Sequence, residues 1–184
     1  IHTAIAENSI ITFQYFQWNV DKSMELRHNG ALYTVSPWAL SWDDENYYLI
    51  AYDSTKGIIK HFRVDKMLHI TQTGRPREGR QVFKAFDTAI YAKKMFGMYG
   101  GEEISVRIEC DNSFAGVMID RFGKDVSIIR IDDKRFAVNV EVAVSKQFLA
   151  WIIGLGEGVK IVSPSSVVKM MNDEIDRLIR QYKR

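Results

Sequence analysis

The stretch from 33 to 65 constrains the fold most, because it has the pattern of three β-strands joined by two tight turns. Polar residues form both turns, 43–46 and 54–57, as expected where the chain reverses. The middle strand, 47–52, consists of the aromatic and aliphatic residues that favour a pleated, half-buried surface. Short strands with frequent turns are typical of a small barrel or a strongly curled sheet.

The third strand of this stretch, 58–64, carries three basic side chains among apolar ones: Lys60, His61 and Arg63. Cations beside aromatic rings suit nucleic acid, because phosphates pair with Lys and Arg while bases stack on the rings. Arg63 can bind a phosphate through two parallel hydrogen bonds, which a Lys side chain cannot do. Together with the neighbouring Tyr52, these residues form the best candidate for a binding site.

The same residues have a plainer interpretation, in which they only stabilise the fold. In that interpretation Arg63 forms an ion pair with Asp65 or Asp53, and a small core is filled by the aromatic side chains of Trp38, Tyr47, Tyr48 and Tyr52. Core packing is the expected role of Tyr47, Leu49 and Phe62. A binding role is expected for Tyr52 and the three basic residues, because short apolar strands rarely need so many cations.

The flanks of this stretch complete a first, mainly β half. Residues 10–18 alternate as a strand that places Ile11, Phe13 and Tyr15 on one face. Residues 28–30 give a turn signal, and 69–73 are predicted to form a further strand. Residues 74–80 contain four charges, two glycines and a proline, and are predicted to be an exposed loop.

Three segments of this half resemble the WYL domain, a family named after a Trp-Tyr-Leu triplet. They are Pro-Trp-Ala-Leu at 37–40, Tyr-Tyr-Leu-Ile-Ala-Tyr at 47–52, and Phe-Arg-Val-Asp-Lys-Met at 62–67. Tyr47 stands where the family usually has Trp. The resemblance implies an Sm-like or SH3-like β-barrel that senses single-stranded nucleic acid or nucleotides in a basic and aromatic pocket. Carried onto this sequence, it implies that the ligand-binding residues are Tyr15, Ser36, Tyr52, Lys60, His61 and Arg63.

The second half has the order strand-helix-strand-strand-helix-strand, followed by a final helix. This order predicts a ferredoxin-like βαββαβ domain with a C-terminal helix. Helix faces are indicated by Phe114, Met118 and Phe122, and later by the stripe that begins at Phe148. The predicted organisation is a WYL domain at 1–83, a linker helix at 84–101 and an α+β extension at 102–184. WYL proteins often carry such an extension.

The composition of the chain and the spacing of its reactive residues do not support a metal site, a nucleophile or an acid-base pair. The formal net charge is only +2, so an argument for nucleic acid must come from local clustering. The four histidines are scattered without metal-ligand spacing, and we expect no metal or other cofactor. Cys110 lies in phase with apolar strand residues, which predicts a buried thiol and not a nucleophile. No paired carboxylates stand out, so we do not expect an enzyme.

These observations predict the sensing and oligomerisation portion of a bacterial transcriptional regulator. The start without Met is interpreted as a fragment, with operator DNA bound through an N-terminal helix-turn-helix domain outside this sequence. The chain lacks a signal peptide or a long apolar stretch, so it is expected to be cytoplasmic and away from membranes. A homodimer is expected, with the second domain contributing dimerisation or relay. Two alternatives remain: a dimerisation module without a ligand, and an enzyme acting on nucleotides.

Overall fold

The computed structural model describes residues 1–84, 91, 93–98 and 102–183. The chain divides into two compact units, Ile1–Ala92 and Lys93–Arg184. Most of the predicted linker helix at 84–101 lies outside the described residues. Each unit has its own hydrophobic core.

The first unit is mainly β. Its described elements are α1 (His2–Ala6), β1 (Ser9–Trp18), β2 (Met24–Leu26), β3 (Tyr33–Asp43), β4 (Asn46–Asp53), β5 (Ile58–Arg63), β6 (Met67–Pro76) and α2 (Arg80–Phe83). Short 3-10 turns at Arg27–Gly30 and Val64–Lys66 connect some of them. The strand predicted at 69–73 is longer than expected, and it takes in the first part of the predicted loop.

All pairings in this sheet are antiparallel, in the order β2-β1-β3-β4-β5, with β6 also paired to β1. The β1–β6 pairing reaches from Tyr15 and Met67 to Ser9 and Pro76, and its register shifts twice along the way. Gly74 has a φ of +71°, which glycine adopts without strain. This conformation lets β6 continue beyond the predicted strand.

The sheet curls strongly around an aromatic core. Two strands separate β1 from β5 in the sheet, yet the Phe13 ring of β1 lies 5.0 Å from the Phe62 ring of β5. A flat sheet could not bring them together, since neighbouring strands are about 4.8 Å apart. The buried residues of this core are Ala4, Ile11, Phe13, Val35, Leu49, Ala51, Phe62 and Met67.

One predicted core residue lies outside this core. Leu49 and Phe62 are buried as expected, but Tyr47 is 57% exposed. It pairs with Trp42 across the end of the β3–β4 hairpin, with ring centroids 4.7 Å apart, and Trp42 is equally exposed. The prediction for Tyr47 is wrong because the hairpin continues past the core, where a cross-strand aromatic pair stabilises it instead.

The second unit contains four strands and three described helices. They are β7 (Glu103–Asp111), α3 (Ala115–Phe122), β8 (Ile128–Arg130), β9 (Arg135–Ala143), α4 (Lys146–Gly154), β10 (Val159–Ser163) and α5 (Ser165–Tyr182). Helix α4 has a side-chain N-cap, since Ser145 Oγ accepts a hydrogen bond of 3.3 Å from the Phe148 backbone N–H.

The antiparallel strand order of this unit is β10-β7-β9-β8, with a helix after β7 and another after β9. This is the split βαβ topology that the sequence predicts. One face of β7 and β9 is buried with Met118 of α3 and Phe148 of α4. A curled, mainly β unit followed by an α+β unit confirms the predicted fold class. No helix in the described part of the chain is long and apolar enough to cross a bilayer.

Candidate ligand-binding site

Strand register decides which predicted binding residues share a surface. Residues opposite each other on neighbouring strands point to the same side of a sheet, as do alternate residues along one strand. Ser36 lies opposite Tyr52, and the partners of β5 place His61 and Arg63 on the same side as Tyr52. We call Ser36, Tyr52, His61 and Arg63 the candidate face.

The other two predicted binding residues point to the opposite side, toward the core. Lys60 lies opposite the buried Ala51 and on the same side of β5 as Phe62. The Tyr15 ring packs against Phe62, with centroids 5.7 Å apart. Burial raises the pKa of the Tyr15 hydroxyl above its ordinary value. The structure therefore brings four of the six predicted residues to one face and places two behind it.

Lys60 is held by a carboxylate on the core side of the sheet. Its Nζ atom lies 2.5 Å from Oδ2 of Asp53, whose side chain is only 9% exposed. The carboxylate also accepts hydrogen bonds from Thr55, through its backbone N–H at 3.0 Å and its hydroxyl at 2.5 Å. Burial by itself would raise the pKa of Asp53, but these hydrogen bonds and the Lys60 charge lower it to about 2.

Arg63 also has a carboxylate partner, but at the surface. Its Nε and one terminal nitrogen donate to the two oxygens of Asp65, at 3.0 and 2.8 Å. This hydrogen-bonded pairing raises the pKa of Arg63 above its ordinary value and lowers the pKa of Asp65 below its own. The backbone N–H of Arg63 donates to the Tyr15 hydroxyl at 3.0 Å. Tyr15 thus fixes the strand position from which Arg63 extends.

His61 lies between these two cations in sequence and contacts an aromatic hydroxyl. Its Nε2 atom is 3.0 Å from the Tyr91 hydroxyl, and the two rings are 5.6 Å apart. Which of the two groups donates depends on the imidazole tautomer. This contact gives the candidate face a polar, hydrogen-bonded centre.

A segment that follows β6 lies on the candidate face. The Glu78 backbone N–H donates to the buried Ser36 hydroxyl at 2.9 Å, and the Glu78 carbonyl accepts from the Trp38 indole at 2.9 Å. Gly79, with φ +82°, sits so close to Tyr52 that a Cβ atom there would lie 2.5 Å from the Tyr52 ring. We call residues 77–83 the covering segment.

The two ends of the covering segment pack on the same tryptophan. The Arg77 guanidinium lies 4.2 Å from the centre of the Trp38 ring, and the Phe83 ring stacks on it with centroids 4.8 Å apart. Arg77 also donates to the Pro37 carbonyl at 2.7 Å and to the Asn8 side chain at 3.0 Å. Burial lowers the pKa of Arg77 below its ordinary value. Arg77 therefore has a structural role.

Comparison with known domains places both units. Residues 1–72 match the WYL domain, and residues 102–179 match the WCX domain. The chain carries a WYL domain followed by a WCX domain. All four residues of the candidate face belong to the WYL match, whereas the covering segment lies beyond its end. Among the curated proteins, none matches this chain.

Two solved structures are similar to the whole chain at low identity. Proteasome accessory factor B/C (PafBC) of Arthrobacter aurescens is 21% identical, with a TM-score of 0.40, over 100% of this chain and 26% of that one. A CRISPR Cas-related protein is 15% identical, with a TM-score of 0.49, over 99% of this chain and 50% of that one. This chain spans about a quarter of the first protein and half of the second.

Metal chemistry finds no support in the part of the chain that the structure describes. No group of three or more His, Cys, Asp or Glu side chains there is arranged to hold an ion. Cys110 of the WCX unit is buried, and burial raises the pKa of its thiol to about 11.

The candidate face can supply hydrogen bonds, positive charge and an aromatic ring, which are the means of binding an anion with an attached ring system.

Sequence reasoning missed the covering segment. It treated 74–80 as an exposed loop because charged residues, Gly and Pro are common in loops. The available signal was Gly79 itself, a residue that permits both a positive φ and a close approach to a neighbouring ring. Nothing in the sequence could have shown that the ring belongs to Tyr52.

Proposed function

We propose that this chain is the sensing portion of a transcriptional regulator, in which the WYL unit binds single-stranded nucleic acid or a nucleotide-like ligand. The observation that carries the proposal is the candidate face, where an Arg, a His, a Ser and a Tyr lie on one side of three adjacent strands. The presence of WYL and WCX domains supports the regulatory role.

In this proposal each side chain has a distinct task. Arg63 pairs with a phosphate and His61 supplies a hydrogen bond. Ser36 and the Tyr52 ring lie beneath the covering segment, and they contact a base or sugar once that segment is displaced. Tyr15 and Lys60 act from the core side by holding the strand that carries Arg63. No step of bond making or breaking is included, so the proposed role is binding and not catalysis.

Ligand binding can regulate an attached DNA-binding domain only through a difference in affinity. The ligand must bind one arrangement of the regulator more tightly than another, and it then shifts the population toward that arrangement. In the regulator that we propose, operator DNA is bound by a separate domain. The covering segment continues along the chain toward the WCX match, so it is part of the covalent link between the two units.

The test is binding of a fluorescein-labelled oligothymidylate to the chain, measured by anisotropy at low and at physiological salt. Arg63→Ala should abolish most of the binding, and wild-type affinity should fall with salt because phosphate contacts release counterions. Arg135→Ala is the matched control, since Arg135 also donates two hydrogen bonds to a neighbouring carboxylate, both to one oxygen of Asp132, in the WCX unit. Equal loss in both variants would refute the site. Absence of wild-type binding at low salt would refute this ligand class.

A homodimer is the second part of the proposal, and helix α5 favours it. Apolar residues recur along α5 at three- and four-residue spacing. Val168 and Met171 pack against the core of their own unit, and the stripe then continues through Ile175 and Leu178 to Tyr182. Ile175, Ile179 and Tyr182 are exposed. Sedimentation of the wild type should show a dimer that Ile175→Glu and Ile179→Glu weaken. An unchanged molecular mass would remove α5 from the interface.

A further inference from the structure

The two ion pairs of β5 differ in a way that bears on ligand binding. Lys60 pairs with a carboxylate that is nearly buried and that also holds the turn after β4. Arg63 pairs with Asp65, and both side chains are open to solvent, 33% and 53% exposed. Exposed ion pairs contribute little to stability because solvent screens them, so the partners separate readily. Only the Arg63 pair can exchange its anion without disturbing the fold.

The geometry of the Arg63 pair shows which anion can take the place of Asp65. Two nitrogens of one guanidinium edge donate to two oxygens of one carboxylate, at 3.0 and 2.8 Å. A phosphate group presents two oxygens with similar spacing and binds arginine through the same pair of hydrogen bonds. Asp65 therefore occupies the position that a phosphate would take on this edge of Arg63.

Local structure keeps Asp65 at that position. Asp65 lies in the 3-10 turn Val64–Lys66, directly after Arg63, while the Tyr15 hydroxyl fixes the Arg63 backbone from the core side. The competing carboxylate is thus always near the guanidinium, at a high local concentration, and like an ordinary Asp carboxyl it is ionised at neutral pH.

We propose that Asp65 is an internal competitor that occupies the Arg63 anion site and that a phosphate-bearing ligand must displace it. This inference rests on the proposed function and adds to it the group that holds Arg63 before a ligand arrives, the Asp65 carboxylate, which a phosphate replaces through two of its oxygens. Displacement frees the Asp65 carboxylate, so bound and unbound states differ in the partner of Arg63 and in the charge presented by the turn at 64–66. Because Asp65 must be displaced, the site binds phosphate less tightly than it would if Arg63 had no carboxylate partner.

The test removes the competitor without removing the site. Asp65→Asn keeps the size of the side chain but weakens its pairing with Arg63. Asp21→Asn is the matched control, because it makes the same change in net charge at an exposed turn of the same unit. Binding of the labelled oligothymidylate should be about two- to five-fold tighter for Asp65→Asn than for Asp21→Asn, the range expected for releasing an exposed ion pair. Circular dichroism verifies that both variants fold.

A second pair of variants separates displacement from general electrostatics. If Asp65 acts through Arg63, then Asp65→Asn should give no gain in an Arg63→Ala background. A gain that persists in that background, or equal affinities of Asp65→Asn and Asp21→Asn, would overturn the inference and leave the proposed function intact. If neither the wild type nor Asp65→Asn binds the oligothymidylate at low salt, both proposals fail together.

Discussion

The Nζ atom of Lys60 lies 2.5 Å from Oδ2 of Asp53, on the side of the sheet that faces the core. The two residues belong to neighbouring strands of the β4–β5 hairpin. Because the Asp53 side chain is almost buried, losing its partner leaves a charged group in a poorly solvated position. This relationship makes Lys60 a stabilising residue, and it separates the roles of the two cations on β5.

Lys60→Met should therefore lower the free energy of unfolding by about 1–3 kcal/mol, measured by urea denaturation. Lys56→Met, at an exposed position of the following turn, should change it by less than about 0.5 kcal/mol. Under conditions where Lys60→Met is fully folded, its affinity for the oligothymidylate should be nearly that of the wild type. A loss of affinity as large as that in Arg63→Ala would instead place Lys60 in direct contact with the ligand.

Acid should weaken the first unit through the same carboxylate. The pKa of Asp53 is 3.8 in the unfolded chain and about 2 in the folded one, so its contribution to stability is complete above pH 5 and is lost as the pH falls toward 2. A lowering of this size corresponds to about 2 kcal/mol of stability. Urea unfolding at pH 5 and pH 2 should show this extra loss in the wild type and not in Asp53→Asn. Parallel pH profiles would contradict it.

The covering segment can be tested with a pair of glycines. Gly79→Ala and Gly74→Ala both place a Cβ atom at a positive φ, but the new atom lies 2.5 Å from the Tyr52 ring in the first case and meets nothing within 4 Å in the second. Gly79→Ala should cost about 1–3 kcal/mol more than Gly74→Ala, because Tyr52 must move. In a Tyr52→Ala background the difference should shrink, because only the Cβ atom of residue 52, at 3.0 Å, remains close. An undiminished difference there would point to another neighbour.

Cys110 should be inert while the WCX unit is folded. The thiol is buried in the core, and burial raises its pKa to about 11, so the reactive thiolate is scarce at pH 8. A chromogenic disulfide reagent at pH 8 should label it only in the presence of enough urea to unfold the chain. Rapid labelling of the native protein would show that β7 opens readily.

Much of the fold follows from local patterns in the sequence. Alternation located β1 and β7, turn residues marked the ends of β4, and the order of helices and strands predicted the topology of the second unit. These features depend on residues that are close in sequence. The sequence also contained the information that Lys60 lies on the opposite side of the sheet from His61 and Arg63, since neighbouring residues of a strand point to opposite sides.

The rest depends on contacts between distant residues. Sequence left open whether Arg63 pairs with Asp65 or Asp53, and the structure shows Asp65. The approach of Gly79 to Tyr52 depends on how the chain returns after β6. The exposure of Tyr47 depends on where the core ends, which is a property of the whole sheet and not of its strand. Local periodicity carries no information about any of these.

The covering segment also limits how the chain can vary in length. The backbone N–H and carbonyl of Glu78 are both hydrogen-bonded. Arg77 and Phe83, which precede and follow Glu78 in the sequence, both pack on the Trp38 ring. These contacts fix the number of residues between Arg77 and Phe83, so an added residue would break several of the contacts at once. A stretch with the composition of an ordinary surface loop should therefore tolerate substitutions at its exposed positions but no insertion between Arg77 and Phe83.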